Sequence, residues 1–212
     1  MAHRTILFGG LGVSPKVLGK YAAIYGKTTH IVPFTFTCML LGEHYHPYHK
    51  LHKNLRQHGG SIHIHALSGS CHYVSRFMTL FPEHRARVIS QVYDSPCHVD
   101  GVVPSLSKMY GVPLPMGKAI AQTLFADCFE TSARWMECSP FGPSIPTGIV
   151  TSTNDAIAPA HSINAMIHNW KCTNMRTLVT DSRHLESLRD DPERYTAFCL
   201  AIREQGDVDN GK

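Results

Sequence analysis

The regular alternation of short apolar runs with segments of helical periodicity constrains the fold of this chain more than any other feature. Strands are predicted at about residues 5–8, 30–36, 61–67, 87–93, 146–152 and 175–180. Helical patterns lie between most of them, and strands joined by helices must run parallel. We therefore expect an α/β fold with about six mostly parallel strands and helices on both faces of the sheet.

The length and composition are those of one domain. The chain has 212 residues, of which 43% are hydrophobic, enough to bury a full core. We expect one domain over residues 1–205 and a polar, flexible tail over 206–212. Residues 94–145, rich in proline and glycine, are too many for a simple connection. They are predicted to form a small cap between strands four and five.

Charge, hydropathy and cysteine content argue against several classes of protein. The net charge is only +4 and the basic residues are scattered, so nucleic-acid binding is not expected. No run approaches the roughly 20 apolar residues of a membrane span, and the first residues do not resemble a signal peptide. The seven cysteines include no C-x-x-C pair. We expect an intracellular, cytoplasmic protein with reduced cysteines, and the pattern gives no oligomeric state.

A serine stands where the third strand turns into a helix. Ala66 and Ser70 flank Ser68 at a distance of two residues, which makes a relaxed form of the G-x-S-x-G nucleophile elbow of α/β-hydrolases. Small residues are needed at those two positions because strand and helix nearly touch there. The alternative, an ordinary serine at a strand end, is less favoured by this context.

Partners for a nucleophilic serine follow in the order Ser, acid, His that this elbow requires. Asp155 comes after the fifth strand and His184 after the sixth, both at carboxyl ends where open α/β sheets bind ligands. We predict Asp155 as the acid and His184 as the base. Asp155 could instead cap a helix, in which case Asp94 is the fallback acid, while Asp181 and Asp127 are weaker candidates.

An oxyanion hole and a polar surrounding are also predicted. The N–H groups of Gly69, directly after the serine, and of Leu11, in the turn after the first strand, are the expected donors. Gly10 in that turn and Asp94 are assigned to the pocket or its surroundings. His65 lies on a central strand that should be apolar, so we expect a buried, hydrogen-bonded imidazole near the site.

Histidines are unusually frequent, with 15 in the chain, and five are crowded into the predicted helix at residues 44–58. His49 and His52 are one turn apart, a spacing that can bind a metal. No carboxylate-rich pattern accompanies them, so we favour a solvated helix face and expect neither a metal nor a cofactor.

Four segments together resemble a known family. They are Phe8-Gly-Gly-Leu-Gly-Val-Ser-Pro-Lys-Val-Leu-Gly-Lys-Tyr-Ala-Ala-Ile-Tyr25, His65-Ala-Leu-Ser68, Tyr93-Asp-Ser-Pro96 and the closing block from Asp181 to Tyr195. They resemble the α/β-hydrolase-like family of unknown function that includes animal transmembrane protein fifty-three and the fungal PaxU proteins. The resemblance covers about residues 5–203 and implies Ser68, Asp155 and His184 as the catalytic residues. The family continues its elbow with Asn-Gly-Gly, and the different residues here are expected to alter the pocket.

The residues and the resemblance favour a serine hydrolase that cleaves a carboxylic ester or thioester through an acyl-enzyme. The apolar content of the predicted cap suits a small-molecule or lipid-like ester. The alternative is a hydrolase-fold protein without catalysis that serves as a binding or interaction module.

Overall fold

A computed structural model describes the protein over residues 3–35, 48–97, 103–104, 107, 111–124 and 139–210. Six strands form one sheet in the order β2-β1-β3-β4-β5-β6, and every adjacent pair is parallel. The strands are β1 (Arg4–Phe8), β2 (Thr29–Val32), β3 (Ile62–Leu67), β4 (Val88–Asp94), β5 (Thr147–Ser152) and β6 (Met175–Thr180). The predicted α/β fold is confirmed.

The second strand is shorter than predicted. It was expected to reach about residue 36, but it ends at Val32. Pro33 follows, and a proline has no N–H with which to continue the hydrogen-bonded ladder.

Seven helices are described. They are α1 (Pro15–Tyr25), α2 (Tyr48–Gln57), α3 (Cys71–Leu80), α4 (Leu114–Leu124), α5 (Ala160–Trp170), α6 (Ser187–Asp190) and α7 (Pro192–Asn210). The start of α1 follows from its sequence, because the Ser14 side chain accepts a hydrogen bond from the Val17 N–H and Pro15 occupies the first turn. Among the described residues, no helix is both long enough and apolar enough to cross a bilayer.

Helices cover both faces of the sheet. One core contains buried residues of α2, α3 and α5, and the other contains buried residues of α1 and α7. Strand β3 serves both, because side chains alternate along a strand. Ile64 faces the first core, whereas His63 and His65 face the second, on the same side as Leu67.

The prediction of a flexible tail was wrong for residues 206–210, because these residues continue α7 to Asn210. Gly206 explains this close packing, since a Cβ at this position would lie 2.6 Å from the carbonyl oxygen of Ile89. A glycine that weakens an isolated helix here allows the helix to contact β4. The sequence pattern showed the polar composition but not the contact.

The segment between β4 and β5 is described only in part. Helix α4 lies within it, and residues 98–102, 105–106, 108–110 and 125–138 lie outside the described residues. Asp127, one of the weaker acid candidates, is among them. The cap at 94–145 and the single-domain division of the chain therefore stay predictions.

Candidate active site

The strand order creates a crevice beside β1 and β3. Strands β1 and β3 are neighbours, but the chain goes from β1 to β2 on one side of the sheet and from β3 to β4 on the other. Such a switch point opens a cleft at the carboxyl ends of the strands. The turn after β1 and the elbow after β3 meet there. A Cβ on Gly10 would lie 3.3 Å from the Leu67 carbonyl oxygen and 3.1 Å from Leu185 Cδ1, so glycine permits this close approach.

Ser68 has the backbone conformation of a nucleophile elbow. Its φ is +54°, a left-handed value that costs a non-glycine residue about 1–3 kcal/mol. Ser70 stabilises the turn, because its hydroxyl accepts a hydrogen bond from the Leu67 N–H at 3.0 Å and lies 3.0 Å from the carbonyl oxygen of Phe8. One buried hydroxyl thereby links the elbow to the end of β1.

The structure brings together the three residues predicted as a triad. Ser68 Oγ lies 2.7 Å from His184 Nε2, and His184 Nδ1 lies 2.7 Å from Asp155 Oδ2. The Asp155 side chain is fully buried and that of His184 is 16% exposed. Because the carboxylate only accepts, Nδ1 carries the imidazole proton and Nε2 presents its lone pair to the serine hydroxyl.

Asp155 is held by its own loop. Its Oδ1 accepts hydrogen bonds from the backbone N–H groups of Ile157 and Ala158, both at 2.8 Å. Burial favours the neutral acid, but the hydrogen bond and charge of His184, together with these two N–H groups, outweigh it and hold the pKa of Asp155 below its usual range. The carboxylate is therefore ionised at neutral pH. Asp155 does not cap α5, because these N–H groups lie in the loop before the helix and no described side chain accepts a hydrogen bond from its first turn.

A thiol that sequence reasoning missed lies against the serine. Cys97 Sγ is 3.4 Å from Ser68 Oγ, and the cysteine is buried. Burial raises the pKa of Cys97 to about 12, so the sulfur is a neutral thiol at neutral pH and does not compete as a nucleophile. The sequence could have indicated this contact, because Cys97 follows β4 and so lies at the same edge of the sheet as the elbow.

Asp94, the fallback acid, belongs to a different network. It is buried and accepts hydrogen bonds from the hydroxyls of Tyr195 at 2.7 Å, Ser95 at 3.0 Å and Tyr21 at 3.3 Å. Burial raises the pKa of Asp94 against the opposing effect of these donors. The Tyr21 hydroxyl also donates to the carbonyl oxygen of Leu185 at 3.1 Å, which links this network to the residue that follows His184.

His65 extends this network across the sheet face. The structure buries it fully, with Nδ1 2.8 Å from the Tyr25 hydroxyl and Nε2 3.1 Å from that of Tyr195. Burial lowers the pKa of His65 to about 3, so the imidazole is neutral and both ring nitrogens are hydrogen bonded. The polar residue in an otherwise apolar strand thus belongs to a buried hydrogen-bonded chain that runs through Tyr195 and ends at Asp94.

The two expected oxyanion donors lie on the two segments that meet at the crevice. Gly69 directly follows Ser68 in the elbow. Leu11 lies in the turn after β1, which is closed by a hydrogen bond from the Val13 N–H to the Gly10 carbonyl at 3.1 Å. Their role as donors stays a prediction.

Comparisons with solved structures place this fold among the α/β-hydrolases. A structure from a study of the metagenome-derived lipolytic enzymes LipS and LipT is 16% identical, with 95% of this chain and 94% of that chain covered and a TM-score of 0.67. An esterase from Pyrococcus furiosus is 13% identical over 95% and 80% of the two chains, with a TM-score of 0.64. A monoacylglycerol lipase from Paleococcus ferrophilus is 14% identical over 96% and 93%, with a TM-score of 0.60.

These similarities establish an α/β-hydrolase fold. No protein-family model matches the chain, and no curated protein matches it. The resemblance of its motifs to the family that includes transmembrane protein fifty-three and the PaxU proteins therefore stays a prediction.

Proposed function

We propose that the protein is a serine hydrolase that cleaves a carboxylic ester or thioester through an acyl-enzyme intermediate. The observation that carries the proposal is the continuous chain from Ser68 through His184 to Asp155, with both hydrogen bonds at 2.7 Å, on a serine with the left-handed backbone of an elbow. This arrangement is the general form of an activated serine nucleophile.

The proposed reaction has two halves. Ser68 Oγ attacks the carbonyl carbon while His184 Nε2 takes its proton, and the N–H groups of Gly69 and Leu11 stabilise the oxyanion. The intermediate collapses, and the leaving alcohol or thiol receives the proton from His184. Water then attacks the acyl-enzyme by the same route, which releases the acid and restores Ser68. Asp155 keeps His184 in the required tautomer and stabilises its charged form.

Two observations support an ester with an apolar acyl part. The similar structures include an esterase, lipolytic enzymes and a lipase by name. Helix α4, in the segment predicted as a cap, exposes Leu114 and Met116 at 42% and 51%, and such side chains form adaptable apolar walls.

The test is a panel of p-nitrophenyl esters of short and medium acyl chains, with peptide and phosphate-ester substrates beside them. We expect ester cleavage by the wild-type protein and its loss in Ser68→Ala, with circular dichroism to verify that the variant is folded. A well-folded wild-type protein that cleaves none of the esters or thioesters would favour the non-catalytic binding module instead.

A further inference from the structure

Three metal-ligating side chains converge at the end of the sheet opposite Ser68. His52 lies on α2, while Glu83 and His84 lie in the 3₁₀ turn that precedes β4. Because the strands are parallel and Ser68 follows the carboxyl end of β3, a cluster ahead of β4 is at the amino edge. It is therefore separate from the candidate active site.

The spacing of the donor atoms fits a single ion. His52 Nδ1 lies 3.1 Å from His84 Nε2 and 3.4 Å from Glu83 Oε1, and all three atoms lie within 4.8 Å of one another. Two ligands about 2.0–2.1 Å from a tetrahedral zinc ion are about 3.3–3.4 Å apart. The two distances from His52 Nδ1 are therefore close to the ligand-to-ligand distance of a tetrahedral site. Rotation of the half-exposed Glu83 side chain would adjust the remaining distance, between Glu83 and His84.

The hydrogen-bonding capacity of the cluster also favours a cation. At 3.1 Å only one proton fits between His52 Nδ1 and His84 Nε2. On His84 it leaves the His52 lone pair facing the Glu83 carboxylate, and on His52 it must be shared between His84 and Glu83. A dication accepts lone pairs from all three atoms at once. Arg87 NH1 lies 3.3 Å from His84 Nδ1. When Nε2 binds an ion, Nδ1 carries the imidazole proton and no longer accepts from Arg87. The guanidinium then keeps its hydrogen bonds to the carbonyl oxygens of Leu55, His58 and Gly60, although its positive charge weakens cation binding.

Aromatic rings orient both imidazoles without occupying the converging nitrogens. The ring of Phe81 stacks on His52, with centroids 4.2 Å apart and an angle of 18°. The ring of Phe77 is parallel to His84, at 5.7 Å and 2°. Such support for ligand rings reduces the entropy lost when a metal binds.

We propose that His52, Glu83 and His84 bind a divalent transition-metal ion, with zinc as the best match. Two imidazoles and one carboxylate form a known donor set for zinc, and a water completes the coordination. The ion would link α2 to the turn before β4. From the sequence, the pair His49 and His52 favoured a solvated helix face without a metal, because the convergence of His52 with two residues of a separate turn is not visible in the spacing along one helix.

The experiment uses the full chain after treatment with a chelator and removal of the chelator. Zinc is titrated by calorimetry, and thermal unfolding is followed with and without zinc. The variants are His52→Gln and Glu83→Gln, which change partly exposed side chains. The matched control is His49→Gln, an exposed histidine one turn earlier on the same helix that also contacts Phe81 but is not one of the three clustered side chains. Circular dichroism verifies folding of each variant.

We expect one zinc per chain and a higher Tm with zinc for wild-type protein and His49→Gln. Zinc should bind at least about tenfold more weakly to His52→Gln, and also more weakly to Glu83→Gln. Cobalt should give the intense visible absorption of a tetrahedral site in wild-type protein, and His52→Gln should lose it. The proposal would be overturned if wild-type protein bound no stoichiometric zinc in the titration, or if His52→Gln bound zinc as tightly as His49→Gln.

Discussion

At the scale of residues, the candidate site depends on atoms placed by strained or buried backbone. Ser68 and Leu185 both have positive φ values. Ser68 is itself part of the proposed triad, and Leu185 directly follows His184. The pattern of small residues around Ser68 predicted the turn. It did not predict that the Ser70 hydroxyl would bond to β1 or that Cys97 would contact the nucleophile, because both depend on segments distant in sequence.

The first prediction concerns the coupling of Ser68 and His184. Each alanine substitution should lower kcat on the order of 10⁴-fold or more, and the double variant should be little worse, because neither residue works without the other. The measurement is kcat for one p-nitrophenyl ester across the three variants. Losses that multiply in the double variant would show that the two residues act independently.

A second prediction separates the two buried carboxylates. Asp155→Asn should lower kcat by about 10³ to 10⁴-fold, since an amide does not hold His184 in the required tautomer. Asp94→Asn should destabilise the protein by about 1–3 kcal/mol through its hydroxyl partners, yet leave kcat of the folded fraction near the wild-type value. The measurements are kcat and the free energy of unfolding in urea for each variant. A large loss of kcat in Asp94→Asn with little loss in Asp155→Asn would make Asp94 the acid.

At the scale of elements, some features of β3 could be predicted from the local sequence and others depend on the assembled sheet. Its position and its direct passage into the elbow could be predicted from local pattern. The reason for two histidines in a buried strand could not, because His63 pairs with Ser90 at 2.7 Å and His65 with tyrosines of α1 and α7. Only the assembled sheet brings those partners together.

The third prediction follows from the neutral state of His65. Its pKa falls from an ordinary 6.5 to about 3 on folding, so between these values the unfolded chain binds more protons and stability falls as the pH decreases. From about pH 7 to about pH 5 this histidine should cost about 2 kcal/mol. The pKa of His63 is lowered as well, first by burial, and adds to the slope.

His65→Gln tests this term directly. Urea unfolding at both pH values should show a pH-dependent loss about 2 kcal/mol smaller in His65→Gln than in wild-type protein. His168→Gln, at an exposed position on α5, is the matched control and should leave the difference unchanged. An unaltered difference in His65→Gln would mean that His65 is not buried in the neutral form.

A fourth prediction compares two helical glycines. Alanine is favoured over glycine in a helix by about 1 kcal/mol, so Gly19→Ala on α1, where a Cβ would meet nothing within 4 Å, should raise the free energy of unfolding. Gly206→Ala should lower it, because the Cβ would approach the Ile89 carbonyl oxygen. Thermal unfolding measures both, and a stabilising Gly206→Ala would mean that the end of α7 does not pack on β4.

At the scale of the whole molecule, the fold was largely accessible from the sequence. The order of serine, acid and histidine along the chain, each after a strand, becomes proximity in space because parallel strands end at one edge. The switch point beside β1 was not accessible, since strand order is a property of the assembled sheet. The convergence of His52, Glu83 and His84 was missed for the same reason.

The most direct test of the account is labelling with a fluorophosphonate, in which an activated serine displaces fluoride and becomes phosphonylated. Intact-mass and peptide mass spectrometry should find one adduct per chain, on Ser68, in wild-type protein. The adduct should be absent from folded Ser68→Ala and formed much more slowly in His184→Ala. A folded wild-type protein that takes up no label, or a label that persists in Ser68→Ala, would contradict the assignment of Ser68 as the nucleophile.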